Sequence, residues 1–287
     1  MFPSIRFGLL FALLSLWLLP AYAQWQVQDG TGQTVTLKQP LRKVVSLAPH
    51  TTELLYSAGA GSKIVGVTQE SDYPQPILNL PKVGAYNQIN VEQIIALKPD
   101  LVVAWQDGGQ QRLIEHLKQL GIAVFVSNPV SLLSISDEIH ALGILNSTPN
   151  IAKQNTYPFR QLVLAQQKQT YPNRISSAFL VSLQPIYAIS NRSFLGQLLQ
   201  TCGADNVFGN LSMPAVPINH EALLQQQTEI VFVSGEQNLS QWQQLYAHSR
   251  KRPEIHIIQA DLRPSLRIKS SLEQMCLIIE SKRRKRH

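Results

Sequence analysis

Charge is scarce in this chain, and its basic excess is concentrated at the ends. Only 15% of the 287 residues are Asp, Glu, Lys or Arg, yet the formal net charge is +7. Arg6 and the run Lys282, Arg283, Arg284, Lys285 and Arg286 supply six of those charges, leaving +1 for the body. A basic face for nucleic acid is therefore not expected. Long apolar runs are also scarce. Apolar residues make up 44% of the chain, an ordinary globular share, and only Phe7 to Leu19 approaches membrane-span hydrophobicity. That excludes a disordered chain and a polytopic membrane protein. Catalytic signatures are missing as well: there is no G-x-S-x-G, H-E-x-x-H or G-x-x-x-x-G-K-[ST]. Gly59-Ala60-Gly61 follows a helix instead of opening one and makes a poor phosphate cradle. None of the seven histidines has a close partner on one helical face, so no metal site is expected. His50, at the carboxyl end of a strand, is a candidate ligand contact or a polar loop or cap residue.

What is present begins with an export signal. Arg6, the apolar core Phe7–Leu19 and Ala21-Tyr22-Ala23 match a secretory signal peptide over residues 1–23, with cleavage after Ala23. Thirteen residues rise about 20 Å as a helix, against roughly 30 Å of hydrocarbon, so an uncleaved anchor is the lesser reading. Cys202 and Cys276 are then the two cysteines of an exported chain. They read as one disulfide or, alternatively, as two buried thiols.

Beyond the signal, Trp25 to Leu37 alternates around Asp29-Gly30 and Thr31-Gly32, the pattern of a hairpin. Apolar runs at 44–47, 64–67, 101–105 and 123–126 read as strands. Helical patterns lie between them at 52–58, 90–97 and 110–120, which predicts βα units and a mostly parallel sheet. Residues 148–171 lack a β-branched run and read as one long linking helix, with Pro158 starting or kinking it. After Pro172 the alternation resumes and repeats the first half. Ile89-Asn90-Val91-Glu92 leading to Leu101-Val102-Val103 aligns on Ile218-Asn219-His220-Glu221 leading to Ile230-Val231-Phe232 at an offset of 129. Leu54-Leu55 with Gly59-Ala60 aligns on Leu198-Leu199 with Gly203-Ala204 at an offset of 144. The expectation is an α/β protein of two Rossmann-like lobes, 24–147 and 172–281, with a ligand cleft between them and a solvated basic tail at 282–287.

Aromatic residues fall where such a cleft has its rim. Trp105 closes a strand, while Tyr73 and Tyr86 lie on loops; their faces suit a large, planar, partly apolar ligand, or else each packs under its own loop. Glu92 and Glu221 occupy equivalent first-turn positions, where a carboxylate favours the helix dipole; one per lobe, they also suit arginines of a partner.

These residues resemble a known family. Val44-Val45-Ser46-Leu47-Ala48-Pro49-His50-Thr51-Thr52-Glu53-Leu54, Ser71-Asp72-Tyr73-Pro74, Asn90-Val91-Glu92 and Leu97-Lys98-Pro99-Asp100-Leu101-Val102-Val103-Ala104-Trp105 are similar to the periplasmic vitamin B12-binding family. That family sits within the siderophore, haem and cobalamin class of binding proteins that feed ABC importers. The similarity spans about 42–281 and is strongest up to about 127. It implies a periplasmic, non-enzymatic monomer with little hinge motion that carries cobalamin as cargo, without a cofactor, to an inner-membrane permease. It implies that Tyr73, Tyr86, Trp105 and the loop Asp261-Leu262-Arg263 face the corrinoid. It further implies that Glu92 and Glu221 dock on the permease and that Cys202 pairs with Cys276. The sequence departs from the pattern in a shortened loop at Asp261 and in lacking a tryptophan near Pro214-Ala215. Haem or a ferric siderophore is the alternative cargo. A periplasmic hydrolase using His50, Ser71 and Asp72 is the remote one.

Overall fold

The computed structural model describes residues 25–286 apart from 235–238, His248, Arg250 and Ala260. The expected signal peptide and its cleavage site lie outside the described residues. Two sheets, one per lobe, organise the chain. β1 (Trp25–Gln28) and β2 (Thr34–Leu37) form the antiparallel hairpin expected around Asp29-Gly30. The Asp29 carboxylate holds the turn, accepting the backbone N–H groups of Thr31 and Gln33.

The first lobe follows as β3 (Val44–Ser46), α1 (Pro49–Ser57), β4 (Ile64–Val67), the two-residue strands β5 (Gly84–Ala85) and β6 (Gln88–Ile89), α2 (Val91–Leu97), β7 (Leu101–Trp105), α3 (Gln111–Gln119), β8 (Ala123–Ser127) and α4 (Leu132–Leu145). Its main sheet has the order β4-β3-β7-β8, parallel throughout. Parallel strands covered on both faces read as unbroken apolar runs, and Leu101, Val102, Val103 and Ala104 of β7 are all fully buried. Helix α1 starts at Pro49, three residues before the sequence pattern places it. Proline at the first helical position sacrifices no hydrogen bond, and the Thr51 hydroxyl accepts the Ala48 N–H. His50 is thereby a helical residue and not a loop residue. Helix α4 was not anticipated. Its Ser131 cap accepts the Ser134 N–H, and its face Leu132, Ile135, Ile139 and Leu142 is fully buried.

Helix α5 (Pro149–Gln167) crosses to the second lobe and runs through Pro158 without ending. There follow β9 (Ile175–Leu183), β10 (Ile186–Ile189), α6 (Phe194–Thr201), β11 (Ala204–Asn206), β12 (Ala215–Ile218), α7 (His220–Gln225), β13 (Ile230–Ser234), α8 (Leu239–Leu245), β14 (Glu254–Ile258) and α9 (Ile268–Arg284). The sheet order is β12-β10-β9-β13-β14, with β9, β13 and β14 parallel and β10 antiparallel to both its neighbours.

The internal repeat is structural. Asn90 and Asn219 cap α2 and α7 alike, each side chain accepting the N–H three residues on. Gly59 and Gly203 end α1 and α6 at φ +83° and +73°, a backbone conformation that favours glycine. A side chain at Gly59 would press on Ile151, near the start of α5, and one at Gly203 would strike the Tyr171 ring just beyond its end. The two equivalent turns thus clasp opposite ends of the crossing helix. One apolar core runs through Leu54 and Leu55 of α1, Phe159 of α5, Leu198 of α6 and Leu272 of α9. Lobes sharing a packed core have little freedom to hinge.

The basic run at 282–287 continues α9 and is only partly solvated over its described part: Arg284, Lys285 and Arg286 are exposed, whereas Lys282 and Arg283 are half-buried. α9 continues to Arg284, and the Arg283 side chain is only 11% exposed. Its guanidinium lies over the Tyr171 ring, 4.6 Å from the centroid, and donates to the Cys202 and Gly203 carbonyls. Lys282 pairs with Glu254 and Arg286 with Glu229. These carboxylates and carbonyls come from distant positions in the chain, which the run itself does not reveal.

Candidate ligand site between the lobes

Parallel α/β sheets expose ligand-binding groups at the carboxyl ends of their strands. Trp105 is the last residue of β7, half-buried, and its register partner on β8 is Ser127. The His50 ring meets the Trp105 indole edge to face, with centroids 5.3 Å apart and planes at 78°. His50 is 3% exposed, and its Nε2 lies 3.2 Å from Ser127 Oγ. Burial and the Arg263 charge lower its pKa to about 3, so the imidazole is neutral at ordinary pH. Tyr86 is 54% exposed, on the turn between β5 and β6. Its N–H donates to the Glu70 carboxylate, and its carbonyl accepts from Gln110 Nε2, which also donates to the Leu47 carbonyl. Tyr73 is 46% exposed, with the Arg267 guanidinium 4.3 Å above its ring.

From the second lobe, Arg263 reaches this rim with Asp261 beside it, whereas Leu262 does not. Arg263 forms a two-pronged pair with Asp72, beside Tyr73, and also lies 3.3 Å from Glu53 Oε1. The Arg263 hydrogen bonds hold the Asp72 carboxyl below its usual value. Asp261 accepts the Arg263 N–H and pairs with Arg267 at 2.7 Å. Leu262 is partly buried against the main core. Sequence reasoning quoted Glu53 only as part of a motif and missed Arg267. Glu53 is 3% exposed and sits at the centre of the contact, accepting the Ser265 hydroxyl at 2.6 Å and facing Arg263 and Arg267. Burial is the largest influence on its carboxyl and raises its pKa. A carboxylate amid an apolar run, as in Glu53-Leu54-Leu55, was the signal available for a buried partner.

The structure does not join His50, Ser71 and Asp72 into a triad. Ser71 is bonded to Thr52 and Thr68, and Asp72 to Arg263. The chain it does form, His50–Ser127–Glu138, has serine in the middle with its proton given to a carboxylate at 2.6 Å. A nucleophile needs the reverse order, with histidine between serine and acid. Glu92 and Glu221 are both exposed in the first turns of α2 and α7, while the asparagines satisfy the caps. The Cys202–Cys276 disulfide is formed, joining the end of α6 to α9 across 4.7 Å between Cα atoms.

The fold and the rim define a binding protein built on two α/β lobes. A family model described as "Periplasmic binding protein" matches residues 44–258, and the chain belongs to that family. Its curated relatives include the vitamin B12-binding protein of Vibrio campbellii, 31% identical over 254 residues that cover 86% of this chain and 92% of the relative. The vitamin B12-binding protein of Yersinia pestis is 34% identical over 201 residues, covering 70% and 72%. The crystal structure of the periplasmic vitamin B12-binding protein of Vibrio cholerae superposes with a TM-score of 0.73 at 30% identity, covering 84% of this chain and 97% of that one. The periplasmic haem-binding protein of the same organism, at 20% identity and a TM-score of 0.69, covers 82% and 98% and shares the fold. Among the described residues no helix is long and apolar enough to cross a membrane.

Proposed function

We propose that this protein captures cobalamin or a related corrinoid in the periplasm and delivers it to the permease of an ABC importer, without making or breaking covalent bonds. The observation that carries the reading is the aromatic rim. Trp105, Tyr86 and Tyr73 stand at strand ends and loops of the first lobe, and from the second Arg263 pairs with Asp72 beside Tyr73 while Arg267 lies over the Tyr73 ring. Flat aromatic faces with a few placed polar groups suit a corrin ring with amide side chains. The vitamin B12-binding relatives above 30% identity support the same cargo. An anionic ferric siderophore would favour an uncommitted cationic cleft. Here Arg263 is already matched by Asp72, Glu53 and Asp261, which argues against that cargo.

Export through a signal peptide cleaved after Ala23 completes this reading, as does docking of Glu92 and Glu221, one per lobe, on basic residues of the permease. The free protein acts as a monomer. Titration calorimetry of the chain from Gln24 onward, with cyanocobalamin, haem and a ferric siderophore, tests the cargo. One-to-one binding of the corrinoid alone is expected, and Trp105→Ala weakens it roughly tenfold or more. Absence of corrinoid binding would overturn the reading. Glu92→Ala with Glu221→Ala should leave affinity intact and impair uptake; normal uptake would defeat the docking role.

A further inference from the structure

Beneath Trp105 lies a buried polar chain that cargo binding alone does not require. Glu138 on α4 is 5% exposed. Its Oε2 accepts the Ser127 hydroxyl at 2.6 Å, and its Oε1 accepts the Asn128 N–H at 2.8 Å. Ser127 Oγ in turn lies 3.2 Å from His50 Nε2, and the His50 ring meets Trp105 edge to face. A hydroxyl has one proton. With that proton committed to Glu138, Ser127 can only accept from His50, which must then carry its hydrogen on Nε2.

The arrangement has a second state. Oε1 is occupied by an N–H donor, so a proton bound by Glu138 resides on Oε2 and is donated to Ser127 Oγ. The serine hydroxyl then turns toward His50 Nε2, which must be bare, and the imidazole hydrogen moves to Nδ1 through exchange with water. One proton is taken up from solvent, and the change ends at the ring packed on Trp105. The groups facing Glu138 set where this occurs. Asp29 on the β1–β2 turn and Asp137 on α4 are negative, and Asp137 is itself paired with Arg160 of α5. Asp29 spends its own carboxylate on Thr31, Gln33 and the Val126 N–H. Among the described residues no ion pair joins Glu138. At the other end of the chain, Arg263 faces His50. Burial and the two aspartates outweigh the Ser127 and Asn128 hydrogen bonds and push the Glu138 carboxyl up to about 7.

We propose that Glu138, acting through Ser127 and His50, is a positioning residue for Trp105, and that the cleft's grip on a flat ligand follows the protonation of Glu138. This rests on the reading of Trp105 as a ligand-facing surface. The test measures Trp105 emission in the ligand-free protein from pH 5.5 to 9, taken as the difference from Trp105→Phe, beside calorimetric affinity for cyanocobalamin over the same range. A step in emission near neutrality is expected, accompanied by a two- to tenfold change in affinity, roughly the scale of an edge-to-face aromatic contact. Glu138→Gln should abolish both. So should Ser127→Ala, which interrupts the chain while leaving Glu138 in place and guards against a Glu138 variant that does not fold. A flat wild-type profile, or a step that survives in Ser127→Ala, would overturn the proposal. An emission step with no cyanocobalamin binding at any pH would uphold the coupling and instead remove the corrinoid reading.

Discussion

Replacing Glu53 by alanine is expected to destabilise the protein by about 2 kcal/mol, and the components of that figure are visible in the contact between the lobes. The Ser265 hydroxyl, fully buried, loses the acceptor it reaches at 2.6 Å; an unpaired buried donor costs roughly 1–3 kcal/mol. Arg263 and Arg267 each lose a 3.3 Å carboxylate neighbour but keep Asp72 and Asp261. Their side chains are 30% and 40% exposed, so each loss is nearer the surface-pair scale of about 0.5 kcal/mol. Against these, removing a carboxylate whose charge burial already disfavours recovers part of its desolvation. Glu53→Gln keeps the volume and an acceptor for Ser265, and should cost under about 1 kcal/mol. Guanidinium denaturation at pH 7.5 with the disulfide intact compares the two variants. If glutamine costs as much as alanine, the charge dominates and the claim that Asp72 and Asp261 already satisfy the arginines is wrong. A loss below about 0.5 kcal/mol for alanine would show that the contact adds nothing to stability.

Two further outcomes follow from buried groups. Glu138 holds its proton to about pH 7 when folded but releases it near 4.5 when unfolded. Between those values the folded state binds more protons, so stability falls as pH rises from 5 to 8, by up to about 3 kcal/mol from this group. The difference between wild type and Glu138→Gln in urea midpoint across that range reads it, and a constant difference would refute it. The disulfide closes a loop between positions 74 residues apart, so Cys202→Ala with Cys276→Ala should lose about 4 kcal/mol on the chain-entropy account. A midpoint shift worth less than about 1 kcal/mol would place the stability of α9 in its packing.

Local signals carried much of this protein into legibility. The unbroken apolar run at 101–105 announced a strand buried on both faces, because such a strand has no solvent side to mark. Asn90 begins its helical pattern with the short side chain that can reach an N–H three residues on, and the repeat places Asn219 in the same position. The duplicated Gly59 and Gly203 turns exposed the repeat, since few other residues reach that backbone conformation cheaply. The sequence by itself therefore determined two βα lobes, their duplication and the place of Trp105 at a strand end. Tertiary structure alone decided the partners of charged and polar groups. Arg263 meets Asp72 from 191 positions away, and Ser265 meets Glu53 from 212. Arg283 turns back on Tyr171 and the carbonyls that close α6. No periodicity encodes such pairings, because the energy of a buried charge depends on which distant group shares its burial.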